Sequence, residues 1–126
     1  MSDTTNRIAG IASITINGQT RMIAGDFEYN ASGVTRETMT GLDRVHGYAE
    51  KPSAPHIAGQ LRDAGDLTVA DFNAMTNVSI SLQLANGKNI VGRNMWTVEN
   101  QTVKIADATF EVRFEGFDGS VVELTK

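Results

Sequence analysis

The alternation of apolar and polar residues along Val78–Ala85 leaves this chain few folds to choose from. Val78, Ile80, Leu82 and Leu84 are apolar, and Ser79, Ser81, Gln83 and Ala85 interleave them. A period of two sends the two sets to opposite sides of an extended backbone, so the stretch reads as a strand with one packed face and one wet face. Asn86-Gly87 closes it. Both residues tolerate the positive φ that tight hairpin turns require, which makes Asn-Gly the strongest short-range hairpin signal. Lys88–Val98 then returns, carrying Ile90, Val91, Met95 and Trp96.

The same pattern recurs towards both ends. In Ala12–Asn17, Ile14 and Ile16 alternate with Ser13 and Thr15 and run into Asn17-Gly18, which predicts a partner strand over Thr20–Tyr29 with Gly25 at a bulge. In Thr109–Phe117, Phe110, Val112 and Phe114 alternate with Glu111, Arg113 and Glu115, predicting a last hairpin with Ser120–Leu124 around Asp118-Gly119. Val34–Gly41 is a threonine-rich strand with little apolar content. After Pro55, Ile57, Gly59 and Leu61 face one way, and His56, Gln60 and Arg62 the other. One helix is marked: Thr68 caps it, Asp71 completes a variant capping box, and Val69, Phe72 and Met75 share a face over two to three turns. Leu42–Pro55 shows no clear period and is expected as a loop.

About seven to nine strands and one helix predict a mainly β chain. The architecture expected is an antiparallel β-sandwich or partly closed barrel with one short flanking α-helix. Its 126 residues suit one domain, 1–126, in which the polar 1–6 is a flexible N-terminus without the apolar stretch of an export signal. No apolar run approaches the roughly 20 residues that cross a bilayer, so no membrane insertion is expected.

The search for chemistry finds none. With no cysteine there is no thiolate or disulfide. His46 and His56, with Asp43, Glu50 and Asp63 around them, match none of the tight spacings that hold zinc. There is no Gly-x-Ser-x-Gly elbow and no phosphate-cradling glycine loop. Asp26 with Glu28, and Glu111 with Glu115, each share a strand face, which is more often a solvated surface than an acid–base pair. Trp96 stands alone, so no aromatic platform is evident. We expect no enzyme, no cofactor and no metal. A net charge of −4, from 11 basic and 15 acidic residues, argues against general nucleic-acid binding. Neutral serine- and threonine-rich strand faces are unusual for a small monomer, which guards its sheets with lysine, glutamate and proline. They suggest strands that are covered in an assembly.

The opening RIAGIASITINGQ, the threonine-rich VTRETMTG, the segment GYAEKPSAPHIAG, the block TVADFNAMTNVSISLQLANGK and the closing TFEVRFEGFDGSVVEL together resemble the tail tube proteins of Mu-like contractile phages, over Arg7 to the end. The resemblance implies hexameric rings whose inner strands join into one β-barrel. It implies rings stacked into a tube inside a contractile sheath, and DNA passing through the bore. Partners would be further copies of the chain, the sheath, the baseplate and the tail terminator, with double-stranded DNA as transient, non-specific cargo. The chain would be assembled in the host cytoplasm and reside in the virion tail. The tube of type VI secretion shares that architecture, so a related injection or secretion tube is the nearest alternative. Alternatives of another class are a monomeric β-sandwich module for sugars or peptides and a small cupin-type metalloenzyme resting on His46 and His56.

Under that resemblance two sets of residues are candidates for function. Leu42–Pro55 is long enough to be a protruding assembly arm, with Leu42, Val45, Tyr48, Pro52 and Pro55 as its contacts. A bore that must let DNA slide should be neutral or mildly acidic, because each basic contact to phosphate releases counterions and holds. Asp26, Glu28, Thr35 and Glu37 are the residues expected near it, with Ser79, Ser81 and Gln83 as a further suitable face.

Overall fold

The apolar halves of the alternating strands meet in one core. In a computed structural model, which describes residues 10–99 and 101–125, the strands are β1 (Ile11–Ile16), β2 (Gln19–Arg21), β3 (Ile23–Asn30), β4 (Val34–Thr40), β5 (Val45–Pro52), β6 (His56–Arg62), β7 (Val78–Leu84), β8 (Asn89–Thr97), β9 (Thr102–Lys104), β10 (Thr109–Glu115) and β11 (Val121–Leu124), with α1 (Val69–Asn73) between β6 and β7. All pairings are antiparallel. The observed mainly β, sandwich-like fold with one short helix is the expected class, and it is not a closed barrel. The flexible N-terminus expected over 1–6 lies outside the described residues.

One layer runs β2-β1-β7-β8-β11 and the other β3-β6-β10, with β9 beside β10. β8 belongs to both. It pairs with β7 from Asn89 to Met95 and with β11 over Asn89–Gly92, and its end pairs with β10 through Phe114↔Thr97 and Glu115↔Trp96. The register slips between Val78↔Met95 and Ile80↔Gly92, and Asn94 takes φ of 53°. A bulge of this kind bends a strand enough to change sheets at a sandwich corner. Ile14, Ile16, Ile80, Leu82, Ile90 and Val121 from one layer pack against Ile57, Leu61, Phe110, Val112 and Phe114 from the other.

The capping box of α1 is present in both directions, Thr68 Oγ1 accepting from Asp71 N and Asp71 Oδ2 from Thr68 N. The helix is shorter than its periodicity predicts. It stops at Asn73 after delivering Phe72 to the core, where its ring lies 4.9 Å from that of Phe110.

The structure departs from the sequence reading in its connections. The predicted strand Thr20–Tyr29 is two strands: β2 ends at Arg21, held by Asp66 at 2.8 Å, and β3 crosses to the other layer to pair with β6. The expected bulge at Gly25 falls within the register shift between Ile23 and Phe27. The last hairpin does not form. The far flank of β10 is already taken by β9 and β8, so β11 pairs with the free edge of β8 instead, through Val121↔Gly92. Leu42–Pro55 is no loop: most of it is β5. β9 was not anticipated, being too short to show a period.

The open side of the sandwich, between β3 and β11, is closed by polar groups. Tyr29 donates its hydroxyl proton to Glu123 at 2.7 Å, and Lys88 reaches both, lying 3.2 Å from the Tyr29 hydroxyl. Hydrogen bonds from Lys88 and then Tyr29 hold the Glu123 carboxyl below its usual range, and the bond to Glu123 and then that to Tyr29 raise Lys88. Because the Glu123 value is depressed on folding, this clasp contributes fully above the ordinary carboxylate value of 4.5 and is lost as pH falls through the folded value.

At Gly59 the pairing of β3 with β6 leaves no room for a side chain. A Cβ there would lie 2.6 Å from the Asp26 carbonyl oxygen and against the Phe27 ring. Gly59→Ala is therefore expected to lower stability by about 1–3 kcal/mol, as overpacking does. Thermal unfolding checks this; an unchanged Tm would show that β3 can move away freely.

Candidate assembly surface

β3 and β6 do not end at the body. From Asn30↔His56 to Val34↔Pro52 both chains advance by the same number of residues, so β3–β6 and β4–β5 form one ribbon in a single register. At its waist, Asn30 Oδ1 accepts from Ser32 N at 2.7 Å, Ser32 Oγ donates to Val34 O at 2.8 Å, and Ser53 N donates to Gly33 O at 3.0 Å. Beyond the waist β4 and β5 pair only with each other. Seven residues of β4 reach about 23 Å at the rise of a strand.

This arm is wet on both faces. Of its strand residues only Ala49 is partly covered. Val34, Met39, Leu42, Val45 and Tyr48 are exposed, Leu42 completely, at a relative accessibility of 111%. Charge pairs tie it together: Arg36 to Glu50 at 3.0 Å with the guanidinium 5.4 Å from the Tyr48 ring, and Lys51 to Glu37 at 4.0 Å. Exposed pairs of this kind contribute about 0–1 kcal/mol each. A lone two-stranded hairpin is marginal in water, and its open edges invite pairing.

Of the residues expected as arm contacts, Leu42, Val45, Tyr48 and Pro52 are on the arm. Pro55 is fully buried at its base, where its carbonyl accepts from Gly116 N at 3.2 Å; it anchors the arm to the body. The residues expected at a bore are divided. Strand alternation in the shared register puts Thr35 and Glu37, with Met39 and Lys51, on one side of the ribbon. It puts Asp26 and Glu28, with Arg36, Tyr48 and Glu50, on the other. Asp26 and Glu28 line a shallow concavity across β3, β6 and β10 with Gln60, Glu99, Glu111 and Arg113. Basic groups there are paired, Lys104 with Glu111 at 2.8 Å and Arg113 with Glu115 at 2.9 Å, and His56 lies 3.4 Å from Glu28. Ser79, Ser81 and Gln83 are on the outer face of the opposite layer, where Ser13 Oγ donates to Gln83 Oε1 at 3.2 Å.

His46 is on the arm, 3.1 Å from Asp43, and His56 is in the body. Among the described residues no group of three or more His, Cys, Asp or Glu side chains is placed to hold a metal. Trp96 is not isolated: Phe117 packs edge-on against it with ring centroids 5.1 Å apart, beside the arm's base. Sequence alternation could not find this pair, because it depends on where the turn after β10 folds back.

An exposed two-stranded arm with open edges, carried on a sandwich body, is a surface suited to pairing with another chain. A family model described as phage tail tube protein matches residues 5–120. The chain belongs to the phage tail tube protein family. It is similar to the tail tube protein of Escherichia phage Mu, with 27% identity over 94 residues, covering 75% of this chain and 79% of that one. It is also similar to the Mu-like prophage FluMu tail tube protein of Haemophilus influenzae, with 26% identity over 109 residues, 86% of this chain and 91% of that one. Membership makes the chain a structural tail tube subunit, a component of the virion tail that associates with its own copies.

Arm and body should differ in local stability. In the unassembled subunit the β4 and β5 amides are expected to exchange with solvent at least ~100-fold faster than those of β7, and to become protected in tubes. Hydrogen–deuterium exchange on the two forms measures both; equal protection in the free subunit would show an arm that is stable alone.

Proposed function

We propose that this tail tube subunit forms rings of six copies that stack into a tube within a contractile sheath, and that the bore conducts double-stranded DNA into the host. The single observation that carries the reading is the arm. It leaves Met39, Leu42, Val45 and Tyr48 in water beyond the body, and a second copy is the partner that an open-ended tube supplies. Contacts between stacked rings join two different surfaces, so they repeat without closing. Baseplate and terminator proteins would occupy the two ends. A tube of a related injection system would use the same contacts with another cargo.

Excising the arm tests the assembly. Replacing Thr35–Lys51 with Asn-Gly joins Val34 to Pro52, which are already paired. The shortened chain is expected to keep its melting transition and to stay monomeric at concentrations where the parent forms tubes. Tubes from the shortened chain, seen by negative-stain microscopy, would rule the arm out as a stacking element.

For the bore we favour the face with Asp26 and Glu28. It carries further carboxylates in Glu99 and Glu111, and the nearby Lys104 and Arg113 are each engaged by a carboxylate. Such a wall repels phosphate weakly and offers it no free cation to bind. Thr35 and Glu37, on the other side of the ribbon, reach the bore only where the arm passes under a neighbouring copy. Glu28→Lys is expected to assemble normally but to slow DNA ejection, with a smaller effect from Glu37→Lys. Ejection rates from particles carrying each variant decide this, and an unaffected Glu28→Lys particle would remove that face from the bore.

A further inference from the structure

Resting on that reading of the arm, we propose that the arm tip docks in an apolar groove at the base of a neighbouring copy's arm, walled by Trp96 and Phe117. The groove lies where the ribbon leaves the body. It is lined by Pro52, Ser53 and Ala54 from the ribbon and by Trp96, Gly116, Phe117 and Asp118 from the body. Phe117 is 64% exposed although it packs edge-on against Trp96. With Trp96 beside it, Phe117 makes an apolar surface into which a side chain of another copy can pack, and interface energy concentrates where such pockets are filled.

The occupant is a second copy of this chain, and three observations point to its tip. Leu42 is the most exposed apolar side chain among the described residues and has no partner within its own subunit. Charges match: among the described residues Arg44 at the tip pairs only with its neighbour Asp43, at 3.4 Å, and no cation pairs with Asp118, which lines the groove. Geometry forbids self-occupancy, since tip and groove are at opposite ends of an arm about 23 Å long and a paired ribbon cannot fold back on itself over that length. Leu42 then enters the groove beside Phe117, while Arg44 meets the Asp118 carboxylate and can stack on the indole. Tip to base is a contact between unlike surfaces, so each docked copy presents a free tip and a free groove to the next. The position of Gly33 fits this use. A Cβ there would lie 2.8 Å from an Asp118 oxygen, so glycine leaves that carboxylate room at the waist of the ribbon.

The chain lacks cysteine, so pairs can be introduced on a clean background. Tubes of the Leu42→Cys/Ala54→Cys variant, treated with a short bis-maleimide, are expected to give a ladder of covalent multimers on denaturing gels, and either single variant none. Tubes without a ladder would overturn the docking proposal and leave the tube function standing. A parent protein that forms no tubes would overturn both. A second pair covers the case in which the cysteine variant does not assemble. Arg44→Asp and Asp118→Arg are each expected to raise the concentration needed for polymerisation at least tenfold with unchanged melting, and the double reversal to restore it. Normal polymerisation by both single variants, or no recovery in the double, counts against the groove. Cross-linking to a sheath protein in intact tails, with no ladder, would assign the groove to that partner instead.

Discussion

Antiparallel backbone pairing must be completed somewhere, and in this chain it is completed only in part. β3–β6 is stitched to β10 and belongs to the body, but the same ribbon continues as β4–β5 with a partner on neither flank. Unpaired strand edges and two wet faces cannot be a resting state for many copies at high concentration. The body solves its own packing through a continuous core, and the arm exports the remaining requirement to whatever lies next to it. Assembly is thus written into the hydrogen-bond ledger of the subunit.

The body in turn is arranged to hold that arm still. Pro55 is buried at the root, Gly116 donates to its carbonyl, and Ser53 bonds back to Gly33 across the waist. The bulged β8 lets the two layers share a strand, which places Trp96 and the turn after β10 next to the point where the ribbon emerges. Across the opposite, open side, the Tyr29–Glu123–Lys88 cluster ties the first part of the ribbon to β11. One end of the ribbon is therefore fixed in both layers while the other end is free.

The body's strands were legible in the sequence because one face of each is buried, and burial enforces a period of two. Val78–Leu84, Thr109–Glu115 and Ile57–Leu61 were readable for that reason, as was the Thr68 cap, which needs only local spacing. β5 was not. With both faces in water nothing selects apolar residues at alternate positions, so a strand made of Val45, His46, Gly47, Tyr48, Ala49, Glu50, Lys51 and Pro52 carries no pattern. The partner of β11 was misread because local turn chemistry at Asp118-Gly119 says that the chain reverses, not which edge is vacant when it does. The candidate site shares this division. The sequence shows Leu42–Pro55 as a long stretch without a period and shows its apolar residues, but not that Val34–Thr40 pairs with it to make the arm. The groove and the split of the acidic and threonine-bearing faces across the ribbon depend on register and remote packing.

The uninterrupted register through the waist has a mechanical meaning. Ladder hydrogen bonds of an antiparallel sheet stand perpendicular to the strands. A pull on the arm along its axis acts on β3 and β6 together and loads the β6–β10 bonds sideways, so that Thr109↔Arg62 through Glu115↔His56 must yield at once and not one after another. A bend or slip at Ser32 or Ser53 would have turned that shear into peeling. Under the stacking proposed above, the arm is a rod anchored along its length, able to pass an axial load from one copy to the next.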